Sequence, residues 1–272
     1  MKKVFLSILL LLAVAAVSGW IYVRRFEHQK LYHPSPDVAL TPAHFQLRYQ
    51  DVQFIADDGT ALAAWWIPAN RPRGTVVLCR GNAGNIGTTA YLAPEFFKRG
   101  FNLLLWDYRG YGASGGRPSE KGIYADARAA FDAAAAMSGK LPVIAYGVSL
   151  GGAVAIQLAK DRPVAGLIVQ GSFASAADLA QRWYPSIPLY RILSVSYDSA
   201  AKVAMLDGLP KLFGHSPTDE TIPFQSGRIL HAAAASPKTF TLLAGKHHDS
   251  SWFTPGAPGN ADLEAFFGQF PR

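Results

Sequence analysis

Val143-Ile144-Ala145-Tyr146-Gly147-Val148-Ser149-Leu150-Gly151-Gly152-Ala153 sets an apolar run directly before a Gly-x-Ser-x-Gly pentapeptide and helix-prone residues, continuing to Lys160, directly after it. A serine on a tight turn from strand to helix needs small neighbours, because the strained backbone and the close helix leave no room for side chains on either side. Glycine two before and two after Ser149 meets that need. The pentapeptide alone arises by chance in a chain with 25 glycines. The strand, turn and helix around it are what mark Ser149 as a nucleophile.

Outward from that turn, strand-like and helix-like segments alternate from Phe45 onward, the pattern of a mainly parallel sheet flanked by helices. Phe45 to Ala56 and Ala61 to Pro68 are extended runs around Asp57-Asp58-Gly59-Thr60, and Asp-Gly between such runs signals a hairpin. Thr75 to Cys79, Phe101 to Trp106, Gly166 to Gln170, Pro210 to Phe213 and Lys238 to Leu243 read as further strands. Thr88 to Arg99, Ser119 to Met137 with Ser119 as its cap, Pro223 to Ala235 and a closing segment from about Gly259 read as helices. Residues 172–208 break the rhythm with aromatics and prolines and suit a covering, lid-like insertion. Within them Phe173, Trp183, Tyr184, Ile187, Leu189 and Tyr190 fit either a lid core or the wall of an acyl-chain site.

A serine hydroxyl is a poor nucleophile near neutral pH, so a histidine must take its proton and a carboxylate must orient that histidine. Asp219 follows the Pro210 to Phe213 strand and precedes the Pro223 helix, where the carboxyl edge of a sheet would present it. His247 and His248 follow the next strand, and the residues alone leave open which of the two faces Ser149. The chain order Ser, Asp, His distinguishes this arrangement from the other orders found on unrelated folds. The plainer reading of Asp219 is a turn carboxylate among Thr218, Glu220 and Thr221, with Glu220 as the nearest substitute acid. A metal site at His247, His248 and Asp249 is disfavoured, because no further ligand at suitable spacing completes the set.

Acyl transfer also needs donors aimed at the developing oxyanion. Gly81-Asn82-Ala83-Gly84-Asn85, after the third strand, supplies the Asn82 amide, and Leu150 at the start of its helix supplies the second. The competing phosphate-loop reading lacks the Lys-Ser/Thr pair and the spacing of a dinucleotide fingerprint. Asp107-Tyr108-Arg109-Gly110-Tyr111-Gly112 reads as a tied-down turn in which Asp107 and Arg109 are structural.

Composition narrows the rest. The chain has 272 residues, half of them hydrophobic, which suits one well-filled catalytic domain. Of its formal charge of +7, Lys2, Lys3, Arg24, Arg25 and Lys30 against Glu27 place +4 in residues 1–30. The small remainder, without a basic run or stripe, argues against nucleic-acid binding. The single cysteine, Cys79, excludes an intrachain disulfide and reads as a buried core thiol. Val4 to Val23 is uncharged, and at ~1.5 Å per residue its helix matches the hydrocarbon core of a bilayer. A cleaved signal peptide is the alternative, with small residues from Ala13 to Gly19, but Trp20, Ile21 and Tyr22 suit a membrane-interface helix end and favour an anchor. Positive charge on both flanks leaves orientation open. A large domain after a first hydrophobic segment is commonly translocated, which tips the expectation to the outer face.

Taken together, the N-terminal apolar segment, Tyr32-His33-Pro34, Gly81 to Asn85, Asp107 to Gly112 with Pro118-Ser119-Glu120, Gly147 to Gly151, Asp219 to Pro223 and His247 resemble the membrane-anchored α/β-hydrolase-domain serine hydrolases whose oxyanion loop reads His-Gly-Asn-Ala-Gly. The resemblance implies an α/β-hydrolase fold with a mostly parallel eight-stranded sheet. It places the catalytic histidine on His247, with His248 where asparagine is usual. Residues 1–30 then form the anchor and 31–272 the hydrolase domain. Similar proteins include depalmitoylases and lipid or carboxyl ester hydrolases, and related sequences are labelled serine aminopeptidases. The implied reaction is ester or thioester cleavage without metal or cofactor, on a small-molecule, lipid or acylated substrate at a membrane. A peptidase and a non-catalytic tethered binding protein are the rivals. Two departures stand out: Arg80 replaces the histidine before Gly81, and Ser216 replaces the glycine after His215. Because every candidate catalytic residue lies beyond Gly81, removal of residues 1–30 is expected to leave a soluble domain that hydrolyses small esters.

Overall fold

Gly74–Cys79 and Phe101–Trp106 are largely apolar and buried at every position, as strands covered on both faces require, and their two buried polar side chains bond each other, Asn102 donating to the Thr75 hydroxyl at 3.2 Å. Gln50–Ile55, by contrast, alternates exposed and half-buried positions, the pattern of a sheet edge. The computed structural model describes residues 2–246 and 251–270. Its strands in chain order are β1 (Gln50–Ile55), β2 (Ala61–Ile67), β3 (Gly74–Cys79), β4 (Phe101–Trp106), β5 (Val143–Val148), β6 (Gly166–Gln170), β7 (Lys211–His215) and β8 (Lys238–Leu242). The described residues form one eight-stranded sheet in the order β1-β2-β4-β3-β5-β6-β7-β8. The β1-β2 and β2-β4 pairs are antiparallel and the others parallel, so the sheet is mostly parallel, as expected.

The helices are α1 (Lys2–Leu31), α2 (Ala93–Lys98), α3 (Glu120–Ser138), α4 (Leu150–Asp161), α5 (Ala176–Trp183), α6 (Ser199–Val203), α7 (Phe224–Ala233) and α8 (Asn260–Gly268), and both faces of the sheet are covered. One apolar layer joins α3 and α4 to the sheet through Ile123, Phe131, Val154 and Ile156, and the other joins α2 and α8 through Phe96, Leu263 and Phe267. Ser119 caps α3 by accepting the Gly122 N–H at 3.2 Å, as its sequence position suggests.

Local boundaries depart from the sequence reading where proline intervenes. Phe45 closes a 3-10 turn, Pro42–Phe45, and the first strand starts only at Gln50. The helix expected over Thr88 to Arg99 is divided into 3-10 turns at Ile86–Leu92 and the short α2, with Pro94 in the first turn of the latter. Proline suits that position because its missing N–H has no intrahelical partner to lose. Residues 172–208 contain α5 and α6, joined by a segment with one 3-10 turn at Leu189–Arg191.

The N-terminal helix has two parts. Lys3–Leu31 has a window of mean hydropathy 2.5 that is wholly unburied, long and apolar enough to cross a membrane by length and composition. Its last turns dock on the rest of the protein. Glu27 is buried and accepts N–H bonds from Ser194 at 2.7 Å and Val195 at 3.3 Å, the Ser194 hydroxyl at 2.5 Å, and Arg24 at 2.8 Å. The Leu31 carbonyl accepts the Asn82 side-chain amide at 3.0 Å, and the Tyr32 and Tyr197 hydroxyls lie 2.8 Å apart. His33–Pro34 then pairs in parallel with Ala83–Gly84. A boundary drawn after residue 30 therefore cuts through packed structure.

Candidate active site

Ser149 sits between β5 and α4 with φ 56° and ψ −121°, a left-handed region that non-glycine residues seldom occupy. The flanking glycines make that geometry possible. A Cβ on Gly147 would overlap the Gly151 carbonyl and lie 2.6 Å from the Gly152 Cα, and one on Gly151 would overlap the Cys79 carbonyl at the end of β3. Backbone, not a yielding side chain, occupies the space in both cases. Gly151→Ala is therefore expected to cost more than the roughly 1–3 kcal/mol typical of overpacking and to remove activity with it. A thermal midpoint equal to that of the unaltered protein would contradict this packing argument. Behind the turn, the Ser149 N–H donates to the Gln170 carbonyl at 2.9 Å, and the Ser172 hydroxyl donates to the Ser149 carbonyl at 2.8 Å.

Gly81 passes directly over the serine: a Cβ there would stand 3.7 Å from the Ser149 Cβ. The next residue, Asn82, is fixed on both sides. Its side chain donates to Leu31, while its carbonyl accepts the His33 N–H at 2.9 Å and the Tyr111 hydroxyl at 2.8 Å. Leu150 opens α4, where the first backbone N–H groups of a helix have no intrahelical acceptor.

Arg80 supports this loop from beneath. It is 1% exposed, its Nη1 donates to the Ala83 and Gly81 carbonyls at 3.1 and 3.3 Å, and its guanidinium lies 4.9 and 4.3 Å from the Tyr108 and Tyr111 ring centroids. Its carboxylate partner is Asp107, at 3.2 Å. The guanidinium is engaged by the protein's own carbonyls and rings, and Arg80 is not among the residues lining the cavity described below. Asp107 and Arg109, the charged residues of the turn read as structural, belong to two separate networks. Arg109 instead forms a forked pair with Asp126 and reaches Asp58 at 2.7 Å.

Burial pushes the Asp107 carboxyl up to about 6, against the opposing pull of Arg80. A folded-state value above the ordinary carboxylate value of about 3.9 means that this group's stabilising contribution is present below about pH 4 and lost as pH rises through about 6. Asp107→Asn should accordingly flatten the dependence of the thermal midpoint on pH across that window. Parallel midpoint curves for the two proteins would count against the assignment.

Asp219 lies in the loop after β7, its side chain 1% exposed. Its Oδ1 accepts the N–H groups of Thr221 at 2.8 Å and Ile222 at 2.9 Å, and its Oδ2 lies 3.5 Å from the Nε2 of His215. Glu220, the substitute acid, has a side chain 54% exposed and faces Lys246 at 3.5 Å. Sequence reasoning gave His215 no role. It is buried beneath α7 and hydrogen-bonded to the Ile222 carbonyl at 3.0 Å, so its ring braces the turn that carries Asp219. Because a carbonyl only accepts, that bond requires a proton on Nε2.

His247, His248 and Asp249 lie outside the described residues. The chain leading to them is nevertheless bonded to the acid loop. The Glu220 N–H donates to the Lys246 carbonyl at 2.6 Å, and the hydroxyls of Ser216 and Thr218 donate to the Gly245 carbonyl, the latter at 2.9 Å. Ser216, a departure in sequence, is thus a tie between the two loops.

Ser149, Leu150, Asn82, Thr221 and Ile222 line one cavity of about 170 Å³ that is partly open to solvent. Its remaining wall is largely apolar and comes from α1 and residues 173–197. Phe173, Trp183, Tyr184 and Leu189 are part of its lining, while Ile187 and Tyr190 are not. Among the described residues no group of three metal-ligating side chains is present.

A family model described as serine aminopeptidase, S33, matches residues 70–200. An uncharacterized protein of Mycobacterium tuberculosis is 35% identical over 248 residues, spanning 90% of this chain and 88% of its own. The alpha/beta hydrolase domain-containing protein WAV2 of Arabidopsis thaliana is 31% identical over 274 residues, spanning 88% and 87%. An esterase of Pyrococcus furiosus is similar in structure at TM-score 0.71 and 17% identity over 88% of this chain and 98% of that one. An acetyl xylan esterase from Paenibacillus is similar at TM-score 0.66 and 18% identity over 93% of both chains. At such identities the structural likeness concerns the fold.

Proposed function

Because the chain belongs to the α/β-hydrolase family, we propose that it is a membrane-tethered serine hydrolase that cleaves carboxylic ester or thioester bonds through an acyl-enzyme on Ser149. The observation that carries the reading is the strained turn at Ser149 beneath Gly81, in a cavity shared with the loop that bears Asp219. In the proposed mechanism the Ser149 Oγ attacks the acyl carbonyl carbon and passes its proton to His247, which Asp219 orients. The Asn82 and Leu150 amides stabilise the oxyanion. Collapse breaks the bond to the leaving alkoxide or thiolate, which takes the proton from His247. Water then attacks the acyl-enzyme and gives a proton to His247, the acid departs, and the proton returns to Ser149. These steps require no cofactor.

A peptidase acting on free amino termini would need a carboxylate to hold the substrate amine. Glu27 is the acidic side chain in the described cavity wall, and both its oxygens already accept bonds from Ser194 and either Val195 or Arg24. Ester cleavage is therefore the better-supported reading. The test is hydrolysis of nitrophenyl esters compared with amino-acid anilides, combined with labelling by a fluorophosphonate probe. Ester turnover with labelling at Ser149 is expected. Turnover of anilides alone, or absence of both turnover and labelling, would overturn the reading. On the anchor, the mature protein is expected to retain residues 1–25 and to stay with membranes through a carbonate wash. A mature chain that starts between Ala16 and Trp20 would instead identify a cleaved signal.

A further inference from the structure

The cavity that Ser149 lines is lined also by α1, the same helix whose preceding turns are exposed and apolar. Val23, Phe26 and Leu31 of α1 and Leu179 and Trp183 of α5 line it together. Val4, Leu11 and Tyr22, further up α1, are 64%, 68% and 70% exposed. One helix thus presents an unburied apolar surface along most of its length and a pocket wall at its end.

The wall is held in place by charge. Glu27 of α1 binds the backbone of Ser194 and Val195, and Glu120 of α3 binds the next two N–H groups, of Ser196 and Tyr197, at 2.6 and 2.8 Å. Two carboxylates therefore clamp consecutive residues of the insertion, Glu27 against α1 and Glu120 against α3, and charge-assisted bonds of this kind are the stronger class. An apolar cavity closed by such fixed polar ties is preorganised for an apolar occupant.

We propose that the end of α1 is a substrate-binding element: an aliphatic acyl chain occupies the slot between α1 and α5, its carboxyl end at Ser149 and its methyl end toward Val23 and the membrane span. This rests on the hydrolase reading and names its substrate class, long-chain acyl esters or thioesters drawn from the bilayer. A water-borne short acid would leave most of the slot unfilled. Each methylene buried is worth about fourfold in affinity, so chain length should be read strongly.

The test uses the full-length protein in lipid nanodiscs. In the first arm, a long-chain fatty acid carrying a diazirine near its methyl end is photo-crosslinked to the Ser149→Ala protein and the adducts are mapped. Adducts on residues 23–31 and 176–184 are expected, whereas adducts confined to the exposed span from Val4 to Tyr22 would overturn the proposal. In the second arm, the kcat/KM ratio for dodecanoate over butyrate nitrophenyl esters is compared among variants. Val23→Trp, at a half-buried site that tolerates bulk, should lower that ratio roughly ten- to twentyfold, the worth of about two buried methylenes. Phe26→Ala should shift the preferred chain length upward. Ratios unchanged in both variants, with hydrolysis intact, would overturn the slot while leaving the hydrolase reading standing. If no ester is hydrolysed, the crosslinking arm still decides whether the slot holds an acyl chain.

Discussion

Ester hydrolysis by Ser149→Ala is expected to fall about 10⁴- to 10⁶-fold, equivalent to roughly 5–8 kcal/mol of transition-state stabilisation. Covalent labelling should vanish altogether. The fold should survive, because the turn is set by the glycine contacts around positions 147 and 151 and by backbone bonds to Gln170. His247→Ala should lose nearly as much, and Asp219→Asn about 10⁴-fold, since the amide keeps the shape of the site while failing to stabilise the imidazolium. His248→Ala should lose far less. Catalytic residues that act as a unit do not add, so the Ser149→Ala, His247→Ala double variant should resemble either single one. Rates measured on purified, folded protein check all of these. Equal losses at His247 and His248, or fluorophosphonate labelling that persists without Ser149, would remove the basis for the triad.

How much of this site was legible in the sequence depends on how local each interaction is. The turn at Ser149 is local: its glycines, strand and helix lie within a few residues, and steric demand writes itself into the spacing. Asp219 is semi-local, since the loop after β7 accepts a carboxylate whose Oδ1 bonds two and three residues onward. The clamp by Glu27 is another matter, because it joins residues 167 positions apart and carries no periodic or motif signal. In sequence Glu27 is one acid among the basic residues flanking an apolar helix, and it reads as a solvated charge. The partner of Arg80 was hidden for a similar reason. Asp107 and Arg109 lie two positions apart, yet Asp107 pairs with Arg80 and Arg109 with Asp126 and Asp58, partners from distant parts of the chain. Pro94 is the converse case: a local rule that, applied strictly, would have divided the helix expected from Thr88 to Arg99.

The docked end of α1 makes the place of truncation decisive. Removing residues 1–22 deletes a stretch whose described part, residues 3–22, is exposed helix, and should give a protein that retains its thermal midpoint and its turnover of short esters. Removing residues 1–31 strips far more. The acceptors for the Ser194 and Val195 N–H groups and for the Asn82 side chain are lost together, as is one wall of the cavity over Leu179 and Trp183. Hydrogen bonds to a charged group contribute about 1.5–3 kcal/mol each, and a domain's whole stability is roughly 5–15 kcal/mol, so the second truncation should take a large share of it. It should also lower turnover even of short esters, because Asn82 is the proposed oxyanion donor and its side chain is anchored to the Leu31 carbonyl. Removal of residues 1–30, the truncation expected from sequence to leave a competent domain, keeps the Leu31 carbonyl but deletes Glu27, so it should lose the clamp on Ser194 and Val195 while sparing the Asn82 anchor. Glu27→Gln separates charge from shape: it keeps the helix and its packing but weakens the clamp, and should lower the urea midpoint by an intermediate amount. If the two truncated proteins unfold at the same urea concentration and hydrolyse butyrate esters equally, the end of α1 is only a tether.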